Sequence, residues 1–231
     1  MMKIRKGGKR GRFKNAWLDA RFSFSFGGYL DPEHDGYSDL MVLNEDLVQP
    51  GKGFGAHSHA DIEAISYPLS GSIEHRDSKG NVARMRPGDV QRMTAGRGIT
   101  HSEMNASVTE PEHHLQFWIA PSQHGLDPGY EQRSFAESEK INRLRLIASP
   151  DGRDGSLLVH QDTQIFASIL RNGAVAYAPR RGRHIYLHVA RGAIRANGIE
   201  LTGGDGAMIE DEPRLDLEAA PRGEVLLFDL R

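Results

Sequence analysis

The chain contains no cysteine, and that absence excludes disulfides, thiolate ligands, iron–sulfur clusters and cysteine nucleophiles together. Any metal must be held by nitrogen and oxygen. An apolar run of the length that a secretory signal or a membrane span requires is missing too, since the segment from Met1 to Ala20 is basic rather than apolar and no later run is longer. A soluble, cytoplasmic protein without a membrane partner is expected. Charge of one sign is also lacking. The 29 Lys and Arg nearly balance 31 Asp and Glu, for a formal charge of −2, so there is no overall field to hold nucleic acid. The seven basic residues between Lys3 and Lys14 are read as a solvated terminal segment, not as a nucleic-acid arm.

Long stripes of helical period are scarce, whereas short β-branched and aromatic runs bounded by Gly, Pro, Asn and Asp recur throughout. The chain reads as mostly β, with strands expected around Leu40–Leu43, Ile62–Leu69, Ser72–His75, Val90–Met93, His114–Ile119, Leu157–His160, Ile165–Ile169, His184–Val189 and Val225–Phe228. Phe22, Phe24 and Phe26 alternate with serines, which predicts three rings on one strand face contributing to the core, with the wall of an aromatic-substrate pocket as the alternative. An internal echo points to two similar halves. The stretch from Tyr67 through Gly71, Ile73, Gly80 and Gly88-Asp89 resembles that from Leu187 through Gly192, Ile194, Gly198 and Gly204-Asp205. The most linker-like segment, His124 to Gly129, places the boundary between a domain 1–124 and a domain 125–231.

His57-Ser58-His59 sets two imidazoles two residues apart, so an extended segment projects both from one face. His101-Ser102-Glu103 repeats the spacing with a carboxylate. An isolated His-x-His is weak among 11 histidines, but two paired sets on neighbouring strands would bring three nitrogens and one oxygen to a common point. That donor set suits iron, manganese, nickel, copper or cobalt, and zinc is compatible in ligand type. A six-coordinate ion would keep two positions open, the arrangement catalysis needs.

These residues resemble the two cupin motifs. Gly51 through His57, His59 and Glu63 follows G-x5-H-x-H-x3-E, with Gly71 one residue late. Gly88 to Gly96 followed by His101 and Asn105 follows the second motif, with Thr94 for its proline and two extra residues before the histidine. More narrowly, Trp17-Leu18-Asp19, Phe22-Ser23-Phe24, Gly53-Phe54-Gly55, Glu74-His75-Arg76-Asp77-Ser78 and Val159-His160-Gln161-Asp162 resemble the pirin family and its bacterial quercetin 2,3-dioxygenase-like members. The resemblance implies an all-β bicupin: two jelly-roll-type cupin barrels in one chain with little helix. It implies His57, His59, His101 and Glu103 as metal ligands, with iron(II) as the ion. Glu63, the ligand in many other cupins and four positions beyond His59 with the parity to point inward, becomes a structural residue or one behind the ligands. His75, His114 and Gln116 are candidates for a place behind the ligands, since metal-bound imidazoles need their other nitrogen satisfied, with a plain structural role as the commoner alternative. The second half carries Glu210, Asp211 and Glu212 where His-x-Glu would fall, so its barrel is expected to be metal-free, with His160, His184 and His188 as packing or surface residues.

The function the resemblance implies is oxidative opening of the heterocyclic ring of flavonols such as quercetin by dioxygen, with release of carbon monoxide. A flavonol would chelate the ion through its 3-hydroxyl and 4-carbonyl oxygens while Glu103 accepts the hydroxyl proton. The alternative is a non-enzymatic, iron redox-sensing regulator that binds a protein partner. An enzyme needs an enclosed apolar cavity beside the ion, and a regulator an exposed patch that changes with it. A third reaction class, on small acids or sugars, is disfavoured by the few basic residues flanking the motifs.

Overall fold

The computed structural model describes residues 1–231 except Ala220. The first half contains strands β1 (Met2–Arg5), β2 (Gly11–Lys14), β3 (Leu18–Phe22), β4 (Leu40–Val48), β5 (Gly53–His59), β6 (Glu63–Ser70), β7 (Ile73–Asp77), β8 (Val82–Met85), β9 (Asp89–Thr94), β10 (Ile99–Asn105), β11 (Glu112–Ile119) and β12 (Gly129–Ser134). A single helical turn, α1 (Glu137–Lys140), leads to β13 (Arg145–Ser149), β14 (Leu157–Leu158), β15 (Gln164–Tyr177), β16 (His184–Ala196), β17 (Ile199–Thr202), β18 (Gly206–Ile209) and β19 (Leu215–Leu230). No helix among the described residues is long and apolar enough to cross a membrane. The all-β, two-barrel architecture expected from the sequence is the one observed.

In the first barrel a four-stranded sheet, β5-β10-β7-β8, faces a seven-stranded sheet, β12-β9-β6-β11-β4-β3-β2. The second is built on the sheet β1-β18-β16-β19-β15-β13-β14, with β17 paired to β16. The largest apolar cluster lies between the barrels, where Phe24, Leu43, Tyr67 and Phe117 from the first half meet Ile165, Tyr186, Leu226 and Phe228 from the second. The echo has a structural counterpart in matched turns. Gly88 and Gly204 both take positive φ, at 101° and 86°, where a side chain is disfavoured. The aspartate after each accepts a backbone N–H three residues back, Asp89 from Arg86 at 2.9 Å and Asp205 from Thr202 at 3.0 Å.

Two local expectations are corrected. β3 ends at Phe22, so the Phe22–Phe26 alternation is not carried by one strand. Phe24 enters the inter-barrel core beside Tyr186, while Phe22 and Phe26 pack on each other and face a cavity. The basic N-terminal segment is not a solvated arm. β1 pairs with β18 of the second sheet, and Arg5, Lys6 and Arg10 pair with Asp31, Asp205 and Glu45. Backbone pairing also does not follow a division at 124/125: Met2–Arg5 belong to the second sheet, and Gly129–Ser134 pair with β9 of the first.

Candidate metal centre

β10 lies between β5 and β7, with His101 opposite both His57 and Asp77. Its burial alternates strictly, so Ile99, His101, Glu103 and Asn105 share the inward face while Thr100, Ser102 and Met104 turn outward. A bulge between His101 and Glu103 shifts the pairing with β5, and Glu103 comes opposite Phe54 on one side and His75 on the other. β5 delivers His57 and His59 from a single face. One ring nitrogen from each of His57, His59 and His101 lies within 4.8 Å of the others. The same holds for the donor atoms of His75, His101 and Glu103. The two groups share His101.

Hydrogen bonding separates these residues by what each nitrogen is free to do. His57 Nδ1 donates to the Gly55 carbonyl at 2.8 Å, which leaves Nε2 with its lone pair. His75 is engaged at both nitrogens, by Asp77 Oδ2 at 3.0 Å and by the Gln91 amide at 3.4 Å. His101 is buried, and neither of its nitrogens has a partner among the described residues. An orphaned buried imidazole costs free energy unless a ligand satisfies it. Burial, reinforced by the neighbouring imidazoles of His57, His59 and His75 against the attraction of Glu103, pushes the ring of His101 down to about 4. Burial and His57 likewise lower His59. Neutral imidazoles are the form that binds a cation.

Burial pushes the Glu103 carboxyl up, but the His101 and His114 imidazoles and the Gln116 amide outweigh it and hold it below its ordinary range. Its Oε1 accepts from Ser66 Oγ at 3.1 Å and its Oε2 from Gln116 Nε2 at 2.6 Å. Trp118 Nε1 in turn donates to Gln116 Oε1 at 3.2 Å. A carboxylate has lone pairs beyond these two bonds, so Glu103 retains capacity for a cation. The nitrogens of His57, His59 and His101 form one group that could hold a divalent transition ion, and His75, His101 and Glu103 a second, and the orphaned His101 ring common to both is the local observation that calls for one.

Of the residues expected behind the ligands, Gln116 contacts Glu103 directly and His75 lies in the second group. His114 contacts neither histidine of β5. It is held between Glu112, at 3.0 Å, and Asp46, at 3.7 Å. Burial lowers the basicity of this imidazole, but the carboxylates around it prevail and raise it to about 9. Glu63 lies elsewhere. It starts β6 in the opposite sheet, accepts from Thr94 Oγ1 at 3.0 Å, and meets His160 of the second half at 3.0 Å. Counting parity from His59 fails because the chain turns between the two strands, with Asp61 at a φ of 52°.

Beside the histidines opens a cavity of about 800 Å³, walled by Trp17, Phe22, Phe26, Tyr29, Phe54 and Trp118. His57, His59, Glu103 and Gln116 form one end of it. Sequence reasoning did not single out Ser66, Asn44 or Asp46. For the last two the one available signal is that polar residues interrupt the otherwise apolar run of β4.

Comparison with known proteins gives a consistent picture. Residues 4–119 match the family model described as Pirin, and residues 146–230 the model described as Quercetinase C-terminal cupin domain. A quercetin 2,3-dioxygenase of Escherichia coli K12 is 41% identical over 231 residues, covering 100% of this chain and 99% of its own. A putative quercetin 2,3-dioxygenase of Pasteurella multocida is 39% identical with full coverage of both. Among solved structures, the bacterial pirin YhhW of Escherichia coli in complex with nickel(II) superposes with a TM-score of 0.94 at 41% identity, covering 100% of this chain and 99% of that one.

Proposed function

The chain belongs to the pirin family, and from that membership we propose that it is a metal-dependent dioxygenase that opens the heterocyclic ring of flavonols such as quercetin. His57, His59, His101 and Glu103 are the proposed ligands, and iron(II) the resident ion. The observation that carries this reading is the buried His101 ring, without a partner among the described residues, grouped with His57 and His59, which together with Glu103 line one end of an aromatic-walled cavity. A nickel-bound relative supports a nitrogen–oxygen donor set. It does not select iron or nickel, because nickel(II) binds such sets more tightly than iron(II) does.

When bound, the ion supplies Lewis acidity toward the substrate oxygens and a path for electrons to dioxygen. The chain's own residues do the rest. Glu103 accepts the proton of the flavonol 3-hydroxyl, converting the substrate to an electron-rich enolate. Ser66 and Gln116 fix the carboxylate for that transfer, and Trp118 fixes Gln116. The rings of Trp17, Phe22, Phe26 and Phe54 hold the flat substrate and keep water from the reacting carbons. Overall, one dioxygen is consumed per flavonol, the two ring bonds to the hydroxylated carbon break, and that carbon leaves as carbon monoxide. Both oxygen atoms remain in the phenolic ester product, and no external reductant is needed. An aromatic-walled cavity beside the histidines is what an enzyme requires and a purely regulatory metal site does not.

The test pairs elemental analysis of the protein as isolated with an aerobic assay. Iron-loaded protein is expected to consume quercetin and release an equal amount of carbon monoxide. Absence of turnover with iron, nickel, manganese, cobalt and copper alike would overturn the reading.

A further inference from the structure

Two side chains in the cavity have no role in the chemistry above. β4 sends Leu43 into the inter-barrel core and turns Asn44 and Asp46, two residues apart, toward the cavity. Both are buried, at 3% and 5% exposure. Asn44 lies opposite Gln116 on β11 and Phe22 on β3, and Asp46 opposite His114 and Ala20. The two therefore extend from the Gln116–Glu103 pair along the cavity floor, between the aromatic walls.

Neither side chain has a hydrogen-bond partner among the described residues, and Asn44 Oδ1 is wholly shielded without one. Behind Asp46 stands the His114 imidazole at 3.7 Å, itself anchored by Glu112, and the Glu112, Glu103 and Glu45 carboxylates also act on it. Buried polar groups without partners cost roughly 1–3 kcal/mol each, so a fold that places two of them on the wall of an apolar cavity leaves their satisfaction to water or to a ligand. A wholly apolar ligand would displace that water and leave both groups stranded. A ligand carrying hydroxyl groups would not.

We propose that Asn44 and Asp46 form a second recognition subsite, selecting flavonols that carry phenolic hydroxyls beyond the 3-hydroxyl, whose oxygens accept from the Asn44 Nδ2 amide and whose O–H groups donate to the Asp46 carboxyl oxygens. The inference rests on the flavonol reading given above and narrows its substrate class: quercetin is recognised at both ends of the cavity, whereas 3-hydroxyflavone is recognised only at the metal end.

The test is equilibrium dialysis under nitrogen with the nickel-loaded full-length protein, which measures binding without turnover. Quercetin and 3-hydroxyflavone are the two probes. Wild-type protein is expected to prefer quercetin, and Asn44→Leu and Asp46→Leu each to reduce the ratio of the two affinities by about ten-fold, the effect of one hydrogen bond. Asp46→Asn, which keeps an acceptor oxygen, is expected to retain most of the preference. Binding of 3-hydroxyflavone to each variant reports that its cavity is intact. An unchanged ratio in the leucine variants, or equal losses for both probes, would overturn the subsite while leaving the flavonol reading standing. Failure of the wild-type protein to bind either probe would overturn the flavonol reading and the subsite with it.

Discussion

The two barrels share a strand-and-turn plan and fill it in opposite ways. Measured from matched glycines, His75 stands four residues after Gly71 and Ala196 four after Gly192. Gln91 stands three after Gly88, and Ala207 three after Gly204. All four are buried, but the second-barrel pair joins an apolar cluster with Leu187, Val189, Ile194 and Leu227 that packs that interior. In the first barrel the apolar residues are split into two small clusters, one around Ile62 and Met93, the other around Leu18 and Phe22. Imidazoles, carboxylates and a cavity account for much of the rest of that interior. A barrel interior can be packed for stability or opened for chemistry. Here the first barrel leans for its stability on the large shared core between the barrels and on its filled neighbour.

A pair of histidines makes the contrast sharpest. His101 and His188 are both buried, and neither has a hydrogen-bond partner at either ring nitrogen. Around His101 stand three more imidazoles, those of His57, His59 and His75, and the Glu103 carboxylate, whereas the charged groups acting on His188 are Arg10, Glu45 and Asp205. The largest expected effect follows from that difference. His101→Ala and Glu103→Ala should each lose bound metal and reduce turnover by at least about 100-fold, since disturbing the partners of ligands alone costs up to that much. His188→Leu should keep both metal and turnover. Glu63→Gln, removed from the site by its bond to His160, should also keep the metal. Elemental analysis of the four variants decides the matter, and metal loss in His188→Leu would mean that the second barrel is not the inert one.

The barrels should also respond to pH in opposite directions. Burial, with Arg10 adding to it, pushes His188 in the second barrel down to about 3, against about 6.5 in an unfolded chain. Between those values the unfolded state binds the extra proton. Its stabilising contribution is therefore complete above 6.5 and is lost as the pH falls toward 3, by up to about 1.4 kcal/mol per unit. His114 in the first barrel is raised to about 9. There the folded state holds the extra proton, so its contribution is complete below 6.5 and is lost as the pH rises through 9. Urea unfolding from pH 5 to pH 10 should show that His188→Leu flattens the acid limb and His114→Gln the alkaline one. Exchange of those two assignments, or no change in either limb, would refute the electrostatic contrast.

What the sequence revealed, and what it hid, follows the same division between local and distant geometry. The His57–His59 and His101–Glu103 spacings were legible because each pair lies within one strand, where side chains alternate without interruption. Parity from His59 could not place Glu63 because the turn before β6 resets the alternation, and the phenylalanine stripe is broken because β3 stops at Phe22. The role of the N-terminal basic segment depends on β18, more than 200 residues away in the chain for Met2 and Ile209. Nothing near Arg5 or Arg10 in sequence announces Asp31 or Glu45. Asn44 and Asp46 were hidden for a different reason: a polar residue in a strand is ordinary until the walls around it are known.

The smallest expected effect compares the two matched turns. Asp89 is half-buried and accepts from Arg86 N–H and from the Ser134 hydroxyl. Asp205 is buried and accepts from Thr202 N–H at 3.0 Å, from Gly7 N–H at 2.7 Å and from Lys6 Nζ at 2.9 Å. The same turn aspartate has thus been recruited, in the second barrel only, to fasten the N-terminal segment that completes its sheet. At about 1 kcal/mol for each net hydrogen bond, with the Lys6 contact to Asp205 and the Ser134 contact to Asp89 both discounted because those side chains are exposed, Asp205→Ala should cost about 2 kcal/mol and Asp89→Ala about 1 kcal/mol. Thermal unfolding of the two variants measures the difference. Hydrogen exchange localises it, since only Asp205→Ala should loosen the β1–β18 amides. Equal losses would mean that the turn alone sets the effect, and that β1 is held by its strand pairing and not by the aspartate beneath it.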